Sequence, residues 1–132
     1  MKARRLAPLL ALAAFAACAR DFRVSGSITV ATHLQGRLPK TNSVLFVIAK
    51  NAGGVPVAVH RIVNPQFPVD YVLTSQDLVV PDTLPSGPLT LEVEMNTRGD
   101  VGTPAKGDLR GEHPDPISNG DRGVHVVIEK VL

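Results

Sequence analysis

LTLEVEMN, residues Leu89–Asn96, alternates without interruption. Leu89, Leu91, Val93 and Met95 fall on one side of an extended chain, and Thr90, Glu92, Glu94 and Asn96 on the other. Successive strand side chains point to opposite faces, so this octet reads as a strand with one face on a core and one in water. Glu92 and Glu94 are accordingly expected on the solvent side.

The same period recurs in both directions. Phe67, Val69, Tyr71 and Leu73 alternate with Pro68 and Asp70, and Val24, Gly26, Ile28 and Val30 repeat the pattern upstream. Val124, Val126 and Ile128 close the chain, with His125 and Glu129 facing outward. Val44–Ala49 is unbroken and apolar, as expected of a strand covered on both faces. A second apolar run, Val55–Val63, follows the hairpin chemistry of Asn51-Ala52-Gly53-Gly54. Pro56 and Pro68 stand at or near strand starts, where a missing N–H is tolerated. Turn residues gather at Leu38–Asn42, Pro81-Asp82 and Pro85–Pro88, and no 3.6-residue apolar stripe occurs after Ala17. About seven short strands in one domain of about 115 residues predict an all-β fold. The expected architecture is a single antiparallel β-sandwich, Ig-like or similar, over residues 24–132. Arg98–Arg122 is the irregular stretch, read as a long loop.

The first 17 residues read differently. A basic start, Met1–Arg5, precedes a 12-residue apolar run, Leu6–Ala17, too short for a permanent span and suited to a secretory signal helix. Small residues then lead to Cys18, the single cysteine. This junction resembles a bacterial lipobox, with Phe15 where Leu is usual, and implies a lipidated Cys18 on a tether over residues 18–23. Cleavage by the ordinary signal peptidase, leaving one free thiol, is the alternative. Lipidation would place the domain on the periplasmic side of the envelope. Ala19 in place of Asp after Cys18 leans toward the outer membrane.

Removal of this segment takes three of the 14 basic residues and leaves 11 against 12 acidic ones. A nucleic-acid partner loses its electrostatic basis. One cysteine permits no internal disulfide and no CxxCH haem attachment. No GxSxG, CxxC or HExxH occurs, and Ser25, Ser27 and Ser43 have no nearby His in sequence, so no catalytic residue and no enzymatic activity are expected. His33, His60, His113 and His125 are scattered, with His60 and His125 on expected outward faces. A copper site from His60, His125 and Met95 is set aside because Met95 keeps phase with Leu91 and Val93. No metal or cofactor is therefore expected. Asp108 and Asp121 lie in Gly-rich turns, where Asp commonly satisfies its own backbone.

Taken in order, these features resemble the C-terminal periplasmic domain of CcmI-type c-type cytochrome biogenesis factors. The residues that carry the resemblance are Val24–Ile28, Leu45–Lys50, Gly53–Arg61, Phe67-Pro68 with Tyr71–Thr74 and Asp77, Gly107–Gly111 and Gly123–Ile128. Lys50 stands where that family often has Arg. Those factors also carry membrane helices and a helical-repeat region. This sequence reads as the β-domain alone, on a lipid anchor. The resemblance implies a non-catalytic binding module whose partners are apocytochrome c or maturation components, with Arg61, Asp108 and Arg110 as candidate contacts. The competing readings are a structural adaptor of an unrelated envelope complex and a small-molecule or metal carrier.

Overall fold

The computed structural model describes residues 21–132. The expected signal segment, Cys18 and the first part of the tether lie outside them. Seven strands follow in chain order: β1 Arg23–Val30, β2 Val44–Lys50, β3 Pro56–Val63, β4 Val69–Thr74, β5 Thr90–Asn96, β6 Leu109–Glu112 and β7 Val124–Val131. They form one sheet in the order β3-β2-β5-β6-β7-β1-β4. The fold is all-β and nearly barrel-shaped, as expected of an Ig-like sandwich. Two short 3₁₀ segments, Thr32–Arg37 and Ser75–Asp77, are the helical exceptions among the described residues.

Two expectations are corrected. The sheet is mixed: five ladders are antiparallel, but β1 and β7 run parallel, from Gly26 opposite Val124 to Val30 opposite Ile128. A period-2 pattern is identical in both arrangements, and only adjacent strands joined by a hairpin must be antiparallel. The expected loop Arg98–Arg122 contains β6, which pairs with both β5 and β7. At four residues β6 is too short to show an alternation of its own.

The hairpin between β2 and β3 forms as expected. Asn51 Oδ1 accepts from the N–H of Gly53 and Val55 at 3.0 Å each, and Gly54 takes φ 77°. Leu45, Val47 and Ala49 of β2 enter the main core with Leu91, Val93 and Met95 of β5 and with Val24, Ile28, Val126 and Ile128. Val44, Phe46 and Ile48 form a second buried cluster on the opposite face, with Val59 packed against it. The sheet curls so that the segment after β4 reaches the start of β3: Leu78 bridges Ala58, and Val79 N–H donates to Val57 C=O at 3.0 Å.

The registers define two ends. Asp21, the Asn51–Val55 hairpin, residues 75–89 and residues 113–123 share one end, the entry end. Residues 31–43, 64–68 and 97–108 share the far end.

The parallel ladder depends on a missing side chain. A methyl group at Gly26 would collide with the backbone of Val124, and one at Gly111 with the backbone of Val127. Backbone cannot move aside as a side chain end can. Gly26→Ala is therefore expected to cost about 3 kcal/mol in urea unfolding. Gly36→Ala, with nothing within 4 Å of the new methyl group, is expected to stay within about 0.5 kcal/mol of the parent.

Candidate functional site

Strand β5 lies between β2 and β6, and its outer face carries charge. The registers set Glu92 opposite Ile48 and Glu112, and Glu94 opposite Phe46 and Arg110. Both carboxylates are only 6% exposed, which corrects the expectation that they face solvent. Alternation gives the face a side chain takes, but how well that face is covered depends on the neighbours that long-range pairing supplies. Here Lys50 Nζ lies 2.6 Å from Glu92 Oε2, and Arg110 Nη2 donates to Glu94 Oε1 at 3.0 Å and also pairs with Glu92 Oε1. Two buried acids are thus held by two partly covered cations. Arg110→Met would leave the acids with Lys50 alone. Loss of one partner from a buried ion cluster costs about 3 kcal/mol, and chemical denaturation should show a drop of that size.

The far end is braced by a second ion pair. Asp108 is 7% exposed, and Arg98 grips it with both terminal nitrogens, each at 2.8 Å. Ala105 N–H adds a bond of 2.9 Å to Asp108 Oδ2, so part of the expected turn chemistry is present. Asn96 ties the same loop through Arg98 N–H, Gly99 N–H and the Asp100 carbonyl. The bond from Arg98, and then that from Ala105 N–H, hold the Asp108 carboxyl below the usual carboxylate range, against the opposing effect of burial. A folded-state pKa below the unfolded one gives stability that is present above about pH 4 and disappears as acid protonates the folded carboxylate. The stability gap between the parent and Asp108→Asn is accordingly expected to be widest near neutral pH and to narrow below about pH 4. Urea titrations at several pH values would show it.

The histidines occupy separate places. His60 is opposite Val47 and in phase with Ala58 and Ile62, so it points to the inner side of β3, contrary to the outward expectation. Its Nδ1 is 3.0 Å from Asp77 Oδ1, and Asp77 also accepts from Thr74 N–H in a capping box. The β-branched run Val55–Val63 offered no polar alternation from which to read the phase. His125 is exposed, as expected, with Ser27 Oγ 2.9 Å from Nδ1 and Thr29 Oγ1 3.2 Å from Nε2. Met95 is in the main core. Asp121 accepts from Ser118 N–H at 2.9 Å, as its turn position suggested.

Of the three candidate contact residues, Asp108 and Arg110 are thus engaged inside the domain, and Arg61 stands on an edge. Strand β3 is the last in the sheet, and the bridge to Leu78 covers only its first half. The bonds Asn64 N–H to Ser43 C=O and Val79 N–H to Val57 C=O fix the alternation along it. That alternation turns the backbone N–H and C=O of Val59, Arg61 and Val63 away from β2. Among the described residues no strand pairs with this stretch. Arg61 and Val63 are exposed there, and Gly99 of the far-end loop lies beside the Arg61 guanidinium. Sequence could not mark Val59 and Val63 as edge residues, because edge status follows from strand order.

This geometry fits a known kind of domain. The Ig-like domain of cytochrome c-type biogenesis protein H matches residues 24–129. The chain belongs to that family. Family membership supports a role in c-type cytochrome biogenesis. The chain is 29% identical over 110 residues to an uncharacterized protein of Aquifex aeolicus (strain VF5), covering 83% of this chain and 71% of that one. Among solved structures, it is similar to an alternative pilotin from the type II secretion system of Vibrio cholerae, at 11% identity and a TM-score of 0.49, covering 82% of this chain and 96% of that one.

Proposed function

We propose that this family member is a non-catalytic accessory of c-type cytochrome biogenesis, held on the periplasmic side of the envelope by a lipid on Cys18. In this reading it receives an extended client segment along the open half of β3. Apocytochromes and haem-ligation components are the client class that the family supports. The observation that carries the mechanism is the pair of outward backbone donors and acceptors at Arg61 and Val63, beyond the bridge of Ala58 to Leu78.

Strand addition suits such a client. Main-chain hydrogen bonds supply affinity without requiring one sequence, and pockets or charges beside alternate residues supply preference. Arg61 would meet a client carboxylate, and its neighbour Gly99 leaves room beside the guanidinium. The buried ion clusters at Glu92 and Asp108 hold the sheet and the far-end loop that frame the edge.

Deletion of the gene, followed by covalent haem staining of periplasmic proteins, tests the biological role. Reduced staining is expected; unchanged staining under every respiratory condition would overturn it. The mechanism is tested by two substitutions. Arg61→Ala removes the cation alone, whereas Arg61→Pro also removes an N–H that faces away from β2, which an edge strand tolerates. Arg61→Pro is expected to lower staining several-fold more than Arg61→Ala, with both proteins folded by circular dichroism. Equal effects would leave no part for strand addition.

A further inference from the structure

Three valines at the entry end are more than half exposed: Val55 at 57%, Val79 at 55% and Val80 at 59%. Single exposed apolar residues are ordinary, but these three line one groove together with Pro56 and Pro85. Asp21, the first described residue, lines the adjoining cleft with Leu78, Asp82 and Leu84. Its neighbour Phe22 is buried and fixed, its N–H donating to Ser75 Oγ at 2.9 Å. The chain therefore enters the domain beside the valine groove.

Cys18 precedes Asp21 by three residues, which span at most about 10 Å when fully extended. A bilayer holding Cys18 by its acyl chains would thus lie within reach of this end and of no other. We infer that the entry end is a membrane-contact surface, with Val55, Val79 and Val80 resting in the headgroup region of the bilayer that carries the anchor. The inference rests on the lipid-anchor reading of Cys18. Its physical basis is the removal of apolar surface from water at a place where the anchor already holds the domain close. A lipid chain and a small apolar face together bind more firmly than either does alone. Asp21 and Asp82 beside the groove offset Arg20 of the sequence and the exposed Arg23, so the contact is chiefly apolar and anionic lipid should strengthen it little.

This contact would also orient the domain. The open half of β3 runs from His60 toward Val63 at the far end, away from the groove. A client would then reach the edge from the aqueous side without displacing lipid.

The test uses the full-length protein purified from envelopes and returned to phosphatidylcholine vesicles. A lipidated Cys18 has no free thiol, so Val80→Cys or Val101→Cys introduces one labelling site; Val101 is an exposed valine at the far end. With an environment-sensitive fluorophore at each site, quenching by doxyl-labelled lipid is expected to be several-fold stronger at residue 80 than at residue 101. Added phosphatidylglycerol should increase it little. Equal quenching at the two sites would overturn the inference. So would protection of residue 80 from aqueous iodide in native envelopes without lipid quenching in vesicles, which would assign the groove to a protein. Metabolic labelling with an alkyne fatty acid, lost in Cys18→Ala, reports the anchor separately. A labelled protein with flat quenching overturns membrane contact alone, and an unlabelled one overturns the anchor and the contact together.

Discussion

The closing of the sheet depends on one close backbone approach. Strand β1 lies parallel to β7, and at their first shared position Gly26 faces Val124 with no room for a Cβ. The Val124 carbonyl accepts from the Tyr71 hydroxyl at 2.7 Å, which links β4, β1 and β7 at one point. That phenol is buried, and burial raises its pKa above the usual tyrosine range, so it remains a neutral donor. Without this contact the β3-β2-β5-β6-β7 and β1-β4 parts of the sheet would separate, and the first and last strands would be left as edges. The strands supply most of the buried core, so the consequences extend throughout.

Once the sheet is closed, charge fixes its outer surface. Glu92 and Glu94 are held between Lys50 and Arg110, next to the second apolar cluster of Val44, Phe46 and Ile48. Buried ion pairs add little net stability compared with apolar packing, but they penalise any register that separates the partners. A shift of β5 by one residue would place two acids in the main core, and a shift of β6 would remove Arg110 from both. The cluster thus acts on register. Arg98 and Asp108 do the same for the far-end loop, where a long irregular segment would otherwise have little to hold it.

The two ends of the domain differ in kind. The entry end has the first described residues, the bridge between Ala58 and Leu78, and an apolar groove. The far end has the free half of β3, Arg61 and a braced loop. Membership in the cytochrome c-type biogenesis protein H family supports a role in c-type cytochrome biogenesis.

Much of this was legible in the residues themselves. Alternation at Leu89–Asn96, the unbroken run at Val44–Ala49 and the Asn-Gly hairpin each report a local preference, and local preferences survive folding unchanged. The all-β class, the hairpin and the core position of Met95 followed from them, and the order of the motifs along the chain carried the family resemblance. What sequence could not supply were relations between distant residues. The parallel pairing of β1 and β7, the four-residue β6, the burial of Glu92 and Glu94, the inward turn of His60 and the open edge at Arg61 all follow from which strands lie side by side. A period of two names a face but not a neighbour, and neighbours decide burial, ion pairing and edges. The sequence by itself determined that this chain forms strands and which residues share a face; the tertiary structure alone decided which charges are neutralised and where a partner can approach, because both are set by contacts between residues far apart in the chain.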